Sequence, residues 1–82
     1  MTEKEFILCC LIDDDEALTQ IVQYFDLDEE INTSRSKIER LLSEMLEEGY
    51  IRINYEWQNE DNEYPYSLTD KGRDAWERLN LE

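Results

Sequence analysis

The chain has 82 residues, of which 22 are acidic, eight are basic and none is histidine, for a formal charge of −14. That length encloses only roughly 60–65% of the surface its unfolded form exposes, which means one small core and no separate cofactor and substrate layers. Without imidazole there is no triad and no histidine general base or ligand, and a field this negative repels free nucleic acid and anionic lipid at long range.

Thr2 and Glu5 are spaced as a capping box, so the apolar run at residues 6–12 is expected as a helix over about residues 3–12. Seven residues are too few to span a membrane, and the flanking charges do not read as a signal peptide. Cys9 and Cys10 are adjacent and the chain has no other cysteine, so they read as small buried hydrophobes in a reduced compartment, the cytoplasm. A small domain cannot cover such a helix all round, so Phe6, Ile7, Cys10 and Leu11 are expected to form a seam with a second copy.

Asp13, Asp14, Asp15 and Glu16 suit the positive end of a second helix, over about residues 15–25, whose apolar face is Ala17, Leu18, Ile21, Val22 and Phe25. A metal loop would need spaced acids and a glycine, so neither metal nor cofactor is expected. Residues 13–30 hold eight acids and no base. The third helix, over about residues 34–48, has N-cap candidates from Thr33 to Ser36 and apolar positions Ile38, Leu41, Leu42, Met45 and Leu46; Gly49 suits a left-handed cap. The period then changes to two. Ile51, Ile53, Tyr55 and Trp57 predict a strand over about residues 50–57, and Tyr64, Tyr66 and Leu68 a returning edge strand over about residues 64–68, entered through Pro65. Tyr55 and Trp57 are expected to pack the hairpin onto the helices. Thr69 and Asp70 cap a last helix, over about residues 70–80, with Ala75, Trp76 and Leu79 inward.

Three helices, a two-stranded hairpin and a fourth helix make a mostly α, α+β winged helix occupying residues 1–82 as one domain. Residues 38–51 read Ile-Glu-Arg-Leu-Leu-Ser-Glu-Met-Leu-Glu-Glu-Gly-Tyr-Ile, and residues 66–73 read Tyr-Ser-Leu-Thr-Asp-Lys-Gly-Arg. The chain thereby resembles winged-helix regulators of the MarR-like and PadR-like type, in which a recognition helix ends in a Gly-(Leu/Tyr)-Ile turn and the wing returns through Tyr-x-Leu-Thr-x-Lys-Gly. The resemblance covers about residues 16–76 and implies a bacterial or phage regulator scaffold, often dimeric through terminal helices.

Carried onto this sequence, the base-contacting part of the recognition helix falls on Thr33, Ser34, Arg35, Ser36, Lys37 and Arg40. The competing reading, placed ahead of it, is that Arg35–Glu39 and Arg40–Glu44 are ordinary surface pairs one helical turn apart. The wing departs from the pattern, because Glu56, Glu60, Asp61 and Glu63 stand where DNA-binding relatives carry bases. The reading favoured on charge is therefore a non-enzymatic module that contacts a basic protein, with Asp26, Asp28, Glu29, Glu30, Glu56, Glu60, Asp61 and Glu63 as its phosphate-like face. The alternative is a DNA-binding transcriptional regulator that reads DNA with the third helix.

Overall fold

A computed structural model of the protein describes residues 1–81. Its elements, in chain order, are α1 (Glu3–Leu11), α2 (Leu18–Leu27), α3 (Arg35–Glu48), β1 (Ile51–Ile53), β2 (Tyr66–Leu68) and α4 (Asp70–Leu81). β1 and β2 are antiparallel, with Ile51 opposite Leu68, Arg52 opposite Ser67 and Ile53 opposite Tyr66. The fold is the winged helix read from the element order.

The helix ends follow local chemistry. Thr2 and Glu5 form the capping box: the Thr2 amide donates to Glu5 Oε1 at 2.7 Å and the Glu5 amide to Thr2 Oγ1 at 3.2 Å. Ser34 caps α3 by accepting the Lys37 amide, and Gly49 closes it at φ 83°, a left-handed conformation that costs glycine no steric penalty. α2 differs from expectation. Residues 13–16 do not start it; it begins at Leu18, and Ala17, at its N-cap, has no side chain to offer. Instead Glu16 pairs through both backbone groups with Tyr66, at 3.2 and 2.8 Å, and so extends the small sheet by one bridge.

The strands are also shorter than the alternation predicts. The run stops after Ile53 because Asn54 turns inward: its amide nitrogen donates to Asp15 Oδ2 at 2.9 Å and its side-chain oxygen accepts the Glu56 amide at 2.9 Å. Beyond it the chain turns, leaving Tyr55 68%, Trp57 46% and Tyr64 40% exposed, so none of the three packs the hairpin onto the helices. On the returning strand Ser67 and Pro65 are buried, while Tyr66 and Leu68 lie half-buried against the core.

α1 runs through the middle of the core. Ile7, Leu8 and Leu11 meet Ile21 and Phe25 of α2, Ile38, Leu41, Leu42 and Met45 of α3, and Ile51 of β1. Each such side chain contributes about 1.5–3 kcal/mol when enclosed. Ile7 and Leu11, at 0% and 3% exposure, are thus spent within the chain and are unavailable for a seam with a second copy. α4 and β2 also pack against α1. Phe6 stacks at a tilt on Phe25, with ring centroids 4.5 Å apart, and only Phe6 and Cys10 of that predicted group stay partly open.

The Leu-Thr-Asp-Lys-Gly segment clasps the end of α3. The Thr69 hydroxyl donates to the Gly49 carbonyl, the Thr69 amide to the Tyr50 carbonyl at 3.1 Å, and Lys71 Nζ to the Glu48 carbonyl at 2.6 Å. Lys71 also lies 4.5 Å from the centre of the Tyr50 ring. Thr69 meanwhile caps α4 by accepting the Gly72 amide. Gly72 is required by close approach: a Cβ there would lie 2.0 Å from the Tyr50 carbonyl oxygen and 3.2 Å from Leu68 Cδ2. Gly72→Ala is expected to destabilise the fold by about 3 kcal/mol, the upper end for overpacking, because backbone rather than a flexible side chain is struck. Thermal unfolding checks this, and a melting temperature within about 4 °C of the parent would refute it.

Candidate nucleic-acid interface

The residues read from sequence as the recognition segment converge at one place, the N-terminal turns of α3. Ser34, Arg35, Ser36, Lys37 and Arg40 are exposed there, and Thr33 is half-buried just before the helix. A helix N-terminus presents free amides and a partial positive charge, so this end favours anions before any side chain is counted.

The cations on it are not equally available. Lys37 Nζ lies 2.7 Å from Glu3 Oε1, and the Thr33 hydroxyl donates to Glu3 Oε2 at 2.6 Å. The Lys37 and Thr33 hydrogen bonds hold the Glu3 carboxyl below its ordinary range. Arg35 sits between two carboxylates, with Nε 3.5 Å from Glu39 and Nη2 3.9 Å from Glu63. The second expected surface pair, Arg40–Glu44, does not form, because Glu44 turns to Lys4 at 3.2 Å. Arg40 has no ion pair among the described residues, and neither has Arg52, exposed on β1.

The predicted acidic face does not hold together as one surface. Asp26 is exposed on the last turn of α2, Glu29 and Glu30 are exposed and Asp28 half-buried just after it, and Glu56, Glu60 and Asp61 are exposed on the wing. Glu63 belongs to neither group. Its Oε1 accepts the Thr19 amide at 3.2 Å and the Asn59 side-chain nitrogen at 3.0 Å, so it caps the bare first turn of α2 from 44 residues away. Asn59 organises the rest of the tip, accepting the Asp61 and Glu63 amides and donating to Gln20 Oε1 at 3.3 Å. Thr19, Gln20 and Asn59 had no sequence signature beyond the Asn-rich tip, and Glu3 was legible only as a helix-start acid.

With this geometry the comparisons with known proteins can be placed. Residues 5–81 match the family model described as the winged helix DNA-binding domain. The chain belongs to that family. Its fold is similar to that of Bacillus subtilis PadR, solved in complex with operator DNA, with a TM-score of 0.80 and 24% identity over 96% of this chain. It is also similar to a PadR family transcription regulator from Clostridium difficile R20291, with a TM-score of 0.82 and 20% identity over 96% of this chain and 83% of that one. The chain spans 45% of the length of the B. subtilis protein. No curated protein matches it. Family membership and a neighbour solved on operator DNA overturn the reading as a module whose main partner is a basic protein. That reading took net charge as the guide, whereas the family match runs over residues 5–81 as a whole. Among the described residues, no group of three or more acids or cysteines is placed to hold a metal ion, and no helix is long and apolar enough to cross a membrane.

Burial pushes the Glu63 carboxyl up, but the hydrogen bonds from Thr19 and Asn59 and the charge of Arg35 outweigh it and leave the group below its ordinary value of 4.5. A lowered folded-state value means a stabilising contribution that is complete above 4.5 and lost as pH falls through the lower value. Glu63→Gln should therefore be less stable than the parent at about pH 7, with the gap closing by about pH 3. Urea unfolding of both proteins at the two pH values checks this; a gap that persists undiminished in acid would contradict it.

Proposed function

We propose that the protein is a non-enzymatic transcriptional regulator, acting in the cytoplasm, that binds duplex DNA with the N-terminal turns of α3 in the major groove. The observation that carries this reading is the grouping of Arg35, Lys37 and Arg40 with Ser34 and Ser36 on the exposed start of one helix, in a chain of the winged helix DNA-binding domain family. Arginine forks match guanine edges, and hydroxyls and lysine suit phosphate oxygens. The long-range field of a chain charged −14 opposes approach, but salt confines that field to about 8 Å at physiological ionic strength. Within that distance the charges that count are Arg35, Lys37 and Arg40 and the carboxylates of Glu3, Glu39 and Glu63 beside them, not the acids farther away. The wing tip, with Glu60 and Asp61 exposed, contributes no phosphate contact in this reading, so affinity rests on α3.

Fluorescence anisotropy of a random duplex at about 50 and about 200 mM salt tests it. Three phosphate contacts give a log–log slope of at most about −2.7, so binding should weaken by up to roughly 40-fold between the two conditions. Arg40→Glu should abolish binding at both salts, while Glu60→Lys should leave it intact or tighten it. Absence of any binding by the parent protein at the lower salt would overturn the proposal.

A further inference from the structure

We infer that Glu3, Glu39 and Glu63 set the affinity of this interface by occupying, in the free protein, the positions that DNA phosphates would take on Lys37 and Arg35. The inference rests on the DNA-binding reading and adds to it the residues that compete with the ligand. Glu3 mimics a phosphate's two-oxygen grip: one carboxylate oxygen is 2.7 Å from Lys37 Nζ and the other accepts the Thr33 hydroxyl at 2.6 Å. It is also the more enclosed partner, with its side chain 23% exposed against 43% for Lys37. Glu63 is held by Thr19 and Asn59 and so cannot swing away from Arg35 freely, while Glu39 flanks the same guanidinium from α3 itself. Of the three cations at the start of α3, Arg40 makes no ion pair among the described residues, and Glu3 acts on it only through its charge.

Binding is then an exchange. A phosphate that takes Lys37 or Arg35 releases a counterion from DNA, but the displaced carboxylate gathers a cation from solution, so the net release falls by about one for each exchange. Neutralising a carboxylate removes that uptake. Glu3→Gln, which keeps an oxygen for Thr33, should bind a random duplex roughly two- to fivefold more tightly at about 50 mM salt, with a salt slope steeper by about one. Glu39→Gln, on the exposed face of α3 where it cannot disturb folding, should act in the same direction. Glu47→Gln is the control: Glu47 is exposed on the last turn of α3 and has no ion pair among the described residues.

The measurement is anisotropy across a salt series on the parent and the three variants, each confirmed folded by thermal melting. Tighter binding with a steeper slope for Glu3→Gln and Glu39→Gln, but not for Glu47→Gln, supports the inference. Equal affinities and slopes for all four proteins would overturn it while leaving DNA binding intact. No binding by any of the four would overturn the DNA-binding reading itself, and the inference with it.

Discussion

The last carbonyls of a helix have no partner inside it, and at the end of α3 the segment leaving the wing supplies those partners. Thr69 serves the Gly49 and Tyr50 carbonyls, Lys71 reaches the Glu48 carbonyl, and Gly72 lets the backbones close to contact. Everything on the binding side hangs on this junction. It fixes the axis of α3, and with it the direction in which Arg35, Lys37 and Arg40 are presented. It also makes the return of the wing and the end of the recognition helix a single unit, so β1 and β2 need only three residues each to hold the hairpin in place. At its far end the hairpin is tied again, through Glu63 to the first turn of α2 and through Asn59 to Gln20. A wing anchored at both ends is a positioned element rather than a mobile loop, so the carboxylate it brings to Arg35 arrives at a defined distance.

What was legible in the sequence is what local chemistry decides. The apolar spacing of α3, a cap among Thr33–Ser36 (it is Ser34), the Gly49 terminator and the Thr2–Glu5 box each involve residues within a few positions of one another, and each appears where the pattern placed it. The misreadings share a non-local cause. Alternation from Ile51 to Trp57 looked like one strand, but Asn54 has a buried partner in Asp15, 39 residues earlier, and that bond outweighs strand propensity. The acids at 13–16 looked like a helix start because carboxylates favour that position; instead the backbone of Glu16 is taken by Tyr66, and the α2 cap comes from Glu63. Ile7 and Leu11 looked like surplus apolar surface only because α4 and β2, which cover α1, lie at the other end of the chain.

The same distinction governs the candidate interface. Its cations lie within residues 35–40 and Glu39 is one helical turn from Arg35, so these could be read directly, whereas Glu3 and Glu63 come from α1 and the wing and could not. Electrostatics makes this distinction matter more than it does for packing. A net charge of −14 is a sum over positions, and what a phosphate meets is the potential within about a Debye length of its approach.

Several of the acids have partners within the molecule. Asp15 receives Asn54, Glu63 caps α2, Glu44 and Glu48 hold Lys4, and Glu3 holds Lys37 and Thr33. A carboxylate paired with a cation projects less charge outward, so Glu3, and Glu44 and Glu48 together, weigh less against DNA than their number implies, whereas Asp15, bonded to the neutral Asn54 side chain, keeps its charge. By the same pairing, the cations they hold also project less toward DNA. In the proposed interface, acidity therefore acts through which cations it holds rather than through its total. A charge-preserving exchange of an acid between Glu3 and a remote surface position would move affinity while leaving the sum unchanged.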